Sequence, residues 1–144
     1  MPLWQIYTPV GAYSTEDKKA LSAALMSVYV DYAGLPNFYV NVLFHEVVEG
    51  NFFIGAEPRN NFVRLVAVHI ARELPTAELR RAAMNRVEEK IAPFIKDRGY
   101  DWEIHIDETP IDFWTVQGLV PPPAESEAER LWARENRPIP YETA

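Results

Sequence analysis

Pro2-Leu3-Trp4-Gln5-Ile6-Tyr7-Thr8, followed after a short gap by Ser14-Thr15-Glu16-Asp17, is the stretch on which the reading of this chain turns. The first run, residues 2 to 8, is mostly apolar and aromatic and reads as a strand. Ser14 supplies an oxygen for the unpaired N–H groups of a helix start, and Glu16 and Asp17 place negative charge at the positive end of the peptide dipoles. Leu21, Leu25, Val28 and Tyr32 then recur at spacings of three and four, and Gly34 with Pro36 ends the helix. Phe38 to Val47 reads as a second strand, Glu49-Gly50-Asn51 as a turn, and Phe52-Phe53-Ile54-Gly55 as a short return segment.

The same order then repeats. Phe62 to Ala71 is strand-like, and Pro75 to Lys96 carries a helical stripe through Leu79, Ala83, Val87 and Ile91, with a kink expected at Pro93 and a stop at Gly99. Trp102, Ile104 and Ile106 alternate with Glu103, His105 and Asp107, a strand with one apolar face. Trp114-Thr115-Val116-Gln117-Gly118 takes the place of the first half's return segment. The expectation is an α+β fold: two tandem βαβ units forming one four-stranded mixed sheet, with two helices on one face because crossovers are right-handed. The domain spans 1–123, in halves 2–58 and 59–123, and 124–144 is a C-terminal tail expected to pack on a neighbouring subunit. The sheet's second face has no layer of its own in the chain, so self-association is expected to cover it.

Composition bounds the function. The 144 residues, 48% hydrophobic and 24% charged, suit one globular domain. No apolar run nears the roughly 20 residues of a membrane span, and the start lacks a basic-then-apolar leader pattern, so no membrane partner and a cytoplasmic location are expected. Zero cysteines exclude thiolate chemistry and disulfides, and the three histidines lack ligand spacing within a helix, so no metal is expected. A net charge of −7 argues against nucleic acid as a partner.

The start of the chain also carries chemistry. Removal of Met1 would turn Pro2 into a secondary amine at the head of a strand. An ammonium among apolar side chains loses hydration, its pKa falls, and a neutral base becomes available near pH 7. With Met1 attached the nitrogen is an amide and no base. In its Met1-Pro2 strand, its two βαβ halves, its Glu49 to Gly55 closure and the Gly118-Leu119-Val120-Pro121-Pro122 run ending the second half, the chain resembles the tautomerase superfamily. Within it the chain is most similar to the cis-3-chloroacrylic acid dehalogenase-like group, fungal members included. The resemblance implies a homotrimer and a cofactor-free site at Pro2, completed from the second half and from a neighbouring subunit.

Carried over residue by residue, the resemblance shows departures. Tyr29 stands where the dehalogenase has a histidine, His105 where it has a tyrosine, and Val116 near its water-activating glutamate. Of two arginines after the second-half strand only Arg72 remains, with Leu74 at the other place. Without the carboxylate, conjugate hydration lacks its general base. The catalytic candidates are therefore Pro2 as base, Tyr29 as donor to an enolate or else core, and His105 as a titrating group or else a strand-to-strand bond. The substrate-binding candidates are Arg72 as a carboxylate grip; Arg64 and the weaker Arg59 as anion contacts or intersubunit ion pairs; Asn41; and Phe52 and Trp114 as apolar walls or core. The acidic set Asp101, Glu103, Asp107, Glu108 and Asp112 reads as a solvated edge. Glu125, Glu127 and Glu129 read as surface partners of Arg130 and Arg134. The functional expectation is a cofactor-independent tautomerase acting on a small anionic carbonyl substrate, a 2-oxo acid or its enol, with at most weak hydratase or dehalogenase activity. The alternatives are a non-catalytic trimeric module on the same fold and an isomerase of secondary metabolism.

Overall fold

The computed structural model describes residues 2–143. Strand β1 (Leu3–Pro9) leads to helix α1 (Thr15–Ala33) and strand β2 (Asn41–Val47); after a small hairpin of β3 (Phe53–Ile54) and β4 (Glu57–Pro58), strand β5 (Phe62–His69) leads to α2 (Ala77–Ile91) and β6 (Asp101–Glu108). The main sheet runs β2-β1-β5-β6. β1 is parallel to β2 and β5 to β6, while β1 and β5 meet antiparallel. The two expected βαβ units and their mixed four-stranded sheet are thus present.

Alternation decides which face is covered. Trp4, Ile6, Val63, Leu65 and Ala67 are fully buried and share one core with Leu21, Leu25 and Val28 of α1 and Val87 and Ile91 of α2. The opposite phase, including Leu3, Gln5, Tyr7, Leu43, Arg64 and Val66, keeps contact with solvent, Leu43 at 49%. Helix α1 begins as expected: Ser14 accepts from Asp17 N–H at 3.1 Å while Asp17 accepts from Ser14 N–H at 3.0 Å. It ends at Gly34, whose left-handed φ of 62° lets its N–H reach Val30 O.

Several local expectations shift. The buried phase of α1 closes on Tyr29, not Tyr32, which is 59% exposed and lies under the Arg86 guanidinium at 4.1 Å. Helix α2 stops at Ile91 instead of kinking and running to Lys96, because Pro93 has no N–H for the helical ladder and the chain tightens into 3-10 turns over Ala92–Phe94 and Lys96–Arg98. The second-half hairpin is reduced to a single bridge, Val116 to Leu119.

The tail is built into the domain. Helix α3 (Glu127–Glu135) carries Trp132 into the chain's own core. Trp132 is fully buried, donates to Ile139 O at 2.7 Å, and sits among Phe38, Tyr39 and Tyr141 with ring centroids 6.0 to 6.3 Å away. Phe38 N–H bonds to the Asn136 side chain at 3.1 Å. The reason is local: the aromatic turn Asn37–Tyr39 after α1 offers an apolar seat that an indole fills more completely than water would.

Because that indole is part of the core, Trp132→Ala is expected to lower unfolding free energy by about 3–5 kcal/mol in urea denaturation. A loss below about 1 kcal/mol would show the tail to be a detachable appendage.

Candidate active site

The register places the cleft. Leu3 pairs with Val68 on antiparallel β5, so Pro2 lies one step beyond, at the end of the strand that finishes in His69. Asn41 N–H bonds to Pro2 O at 2.9 Å and fixes it from the other side. Pro2 is buried, and it lines a cleft of about 20 Å³ with Tyr29, Leu35, His69, Ile70, Ala71 and Arg72.

Two polar side chains of its lining, Tyr29 and His69, are linked to each other and to Trp4 in the core behind them. Trp4 Nε1–H donates to the Tyr29 hydroxyl at 3.0 Å, and that hydroxyl meets His69 Nε2 with the two rings edge to face. Burial raises the Tyr29 phenol above its ordinary range, against a smaller opposing effect of the Trp4 bond. Burial also lowers His69 to about 4. At neutral pH both are therefore uncharged. An indole N–H only donates, so the Tyr29 oxygen always accepts from Trp4 and has one further lone pair and its own proton to offer.

Arg72 reaches the cleft but is held. Its Nη1 donates to Ala71 O at 2.9 Å and to Glu129 Oε1 at 3.1 Å; its Nη2 donates to Ala33 O at 3.3 Å and to Glu129 Oε2 at 2.9 Å. Glu129 is 4% exposed and also accepts from Glu125 N–H at 2.7 Å. The carboxylate that Arg72 was expected to grip is thus supplied by the chain's own tail. Glu129 is correspondingly no surface partner of Arg130, which turns to Glu127 instead.

The other candidates lie elsewhere in the chain. Arg64 and His105 touch one another on the open sheet face, where Arg64 also bonds to Leu65 O and Glu103 O at 3.0 Å and His105 Nε2 faces Asp107 at 3.6 Å. The side chain of Asn41 turns to Tyr39 O at 3.2 Å, so only its backbone serves Pro2. Phe52 lies at the far end of β1, roughly 20 Å from Pro2 at strand rise. There it stacks on Phe62 and lines a separate cavity of about 300 Å³ with Tyr7, Val47 and Arg59. Trp114 is core, 4.8 Å from Tyr39, and not a cleft wall. His69 and Trp4 were missed, although both sit on the buried phase of their strands and alternation points them toward α1. Met1, whose removal the amine requires, lies outside the described residues. Among the described residues no group of His, Cys, Asp and Glu is placed to hold a metal ion, and no helix is long and apolar enough to cross a membrane.

Paired βαβ units with a buried proline at the head of β1 define a protein of the tautomerase type. The chain matches, over residues 1–137, the family model Tautomerase_3, described as "Putative oxalocrotonate tautomerase enzyme", and it belongs to that family within the tautomerase superfamily. It is similar to native RhCC from Rhodococcus jostii RHA1, with 58% identity over 96% of this chain and 99% of that one and a TM-score of 0.94. A probable enzyme from the thermophilic fungus Aspergillus fumigatus shares 40% identity over 98% of both chains, with a TM-score of 0.91. N1, a member of the cis-3-chloroacrylic acid dehalogenase family, shares the fold, with 20% identity over 93% of this chain and 97% of that one and a TM-score of 0.74. Among curated proteins none matches. Family membership supports activity of the tautomerase or isomerase type in general.

Neutral, buried His69 gives a pH signature. Its folded pKa lies below the unfolded value, so the unfolded chain binds the extra proton and stability falls as pH drops from about 6.5 to about 4. The expected slope is somewhat over 1 kcal/mol per pH unit in that window. It should vanish in His69→Gln when unfolding is followed by denaturant titration at each pH. The exposed Asp17–Arg98 pair, whose guanidinium holds the carboxyl far below its usual range, titrates below this window.

Proposed function

We propose that the mature chain, with Met1 removed, is a cofactor-independent tautomerase in which the Pro2 amine moves a proton between carbon and oxygen in a small enolisable carbonyl compound. The observation that carries this reading is the burial of Pro2 in a cleft whose other walls are apolar or uncharged except for Arg72, whose charge is met by Glu129. Leu35, Ile70 and Ala71 withhold water from the amine, which keeps it neutral and basic. Pro2 takes a proton from the carbon next to the carbonyl, Tyr29 stabilises the enolate oxygen, and the proton returns from the prolinium to carbon or passes to oxygen. In this role Tyr29 acts as a neutral donor, which costs less reorganisation than a charged one in a dry cleft. The 2-oxo acid expected from the sequence keeps its enolisable carbonyl in this scheme, but the Arg72 grip on its carboxylate is replaced by the Glu129 contact.

A homotrimer belongs to the same reading. The open face carries Leu3, Leu43 and Val66 with no covering layer among the described residues, and cyclic association is the economical cover. In such an assembly Arg64 and His105, which lie on the open face, would meet a neighbouring subunit. A second reading, a trimeric module without turnover, draws support from the cleft's small volume, which holds about one water until a wall residue moves.

Intact mass establishes whether Met1 is absent, and conversion of an arylpyruvate enol to its keto form is then followed for the natural protein and Pro2→Ala. The expected result is a loss of about 100-fold or more in kcat for Pro2→Ala. Equal rates, or a retained Met1 in the native host, would leave the module reading in its place.

A further inference from the structure

We propose that the Pro2 cleft is built for an uncharged enolisable carbonyl compound, and that Glu129 of the tail sets this preference by holding the Arg72 guanidinium. The inference rests on Pro2 as the proton-transfer group and adds the substrate class. A guanidinium carries five N–H groups, and a carboxylate grip of the fork type takes two parallel ones. In Arg72, Glu129 takes one hydrogen from each Nη and the carbonyls of Ala71 and Ala33 take the other two. Among the described residues only Nε–H is left without a partner, which suits a single neutral oxygen.

Exchange of Glu129 for a substrate carboxylate gives no relief. Glu129 is buried and anchored by Glu125 N–H, so displacement would strand a buried carboxylate, which is strongly unfavourable. The remaining cleft residues offer no counterion: Leu35, Ile70 and Ala71 are apolar, and Tyr29 and His69 are neutral. Leu74 follows where a second arginine would extend the anion site, and its N–H faces Glu108 at 3.4 Å. A carboxylate entering this cleft would lose its hydration opposite a pair of zero net charge. An ester, aldehyde or ketone would not.

The test uses the chain with Met1 removed, confirmed by mass, and the enols of phenylpyruvate and of its methyl ester, which differ in the charge and in one methyl group. The natural protein should favour the ester by about tenfold or more in kcat/KM, equivalent to about 1.4 kcal/mol. Glu129→Gln should improve phenylpyruvate turnover by about tenfold through KM, with kcat and the ester values changed little. Arg72→Met combined with Glu129→Met, an apolar pair of similar volume, guards against loss of the tail, and should retain the ester preference that Glu129→Gln erases. A natural protein that favours phenylpyruvate overturns the inference, as does a folded Glu129→Gln with an unchanged preference. Binding of cinnamate and methyl cinnamate to Pro2→Ala, followed by tryptophan fluorescence, reads the same preference without turnover. Weaker binding of the ester would overturn the substrate class even where Pro2 proves essential. Turnover retained in Pro2→Ala would instead remove the role of the amine and leave the binding preference to be judged by this measurement.

Discussion

The antiparallel seam between β1 and β5 is the constraint from which the rest of the molecule follows. It joins two βαβ units that could each bury only one face, and it lets Trp4 and Ile6 share a core with Leu65 and Ala67. Its register also makes the site. With Leu3 opposite Val68, the head of the first strand meets the tail of the fifth, so Pro2 comes to His69 while Tyr29 arrives from α1 above. A slip of one residue would send Trp4 and His69 to the open face and dissolve both core and cleft together. Foldability and chemistry are therefore specified by the same pairing.

The second organising contact is ionic. Arg72 joins three separate pieces of chain: the end of α1 through Ala33, the segment after β5 through Ala71, and α3 through Glu129. Breaking such a pair from one side leaves a buried charge, so the tail is held by more than the burial of Trp132. The arrangement also couples docking of the tail to the wall of the cleft, since a guanidinium released from Glu129 would carry its charge toward Pro2. Tail and site are in this sense one structure.

Much of this was legible from residue order. The period of two in Trp102 to Asp107, the capping pair Ser14 and Asp17, and the repetition of strand, helix and strand were sufficient for the sheet and its two helices, because each is a local signal that the global fold agrees with. The end of α2 was not, since Pro93 permits either a kink or a stop and only packing decides. Glu129 was misread for a plainer reason. On its own helix it has arginines nearby, and a partner 57 positions away in sequence leaves no periodic trace. His69 lies inside the run read as a strand, and Val63, Leu65 and Ala67 lead to it by steps of two on the buried phase. His105, read by alternation, and Arg64 both fall on the open face, where the chain pairs them with one another and with strand neighbours.

The cleft that results does its electrostatic work with almost no charge. A buried lysine or carboxylate would need a counterion, and each counterion would raise the polarity around the amine and return it toward its solution pKa. A proline nitrogen escapes this because its uncharged form is the reactive one, so an apolar wall activates it without further machinery. The neutral pair Tyr29 and His69 follows the same logic: either ring can present hydrogen or lone pair by a change of tautomer or rotation, with no charge created in the dry space. Arg72 is the one group that would break the pattern, and Glu129 restores it. In the proposed mechanism proton movement is confined to the amine and the substrate, so the apolar lining, more than any single polar residue, would separate this cleft from one built to ionise water.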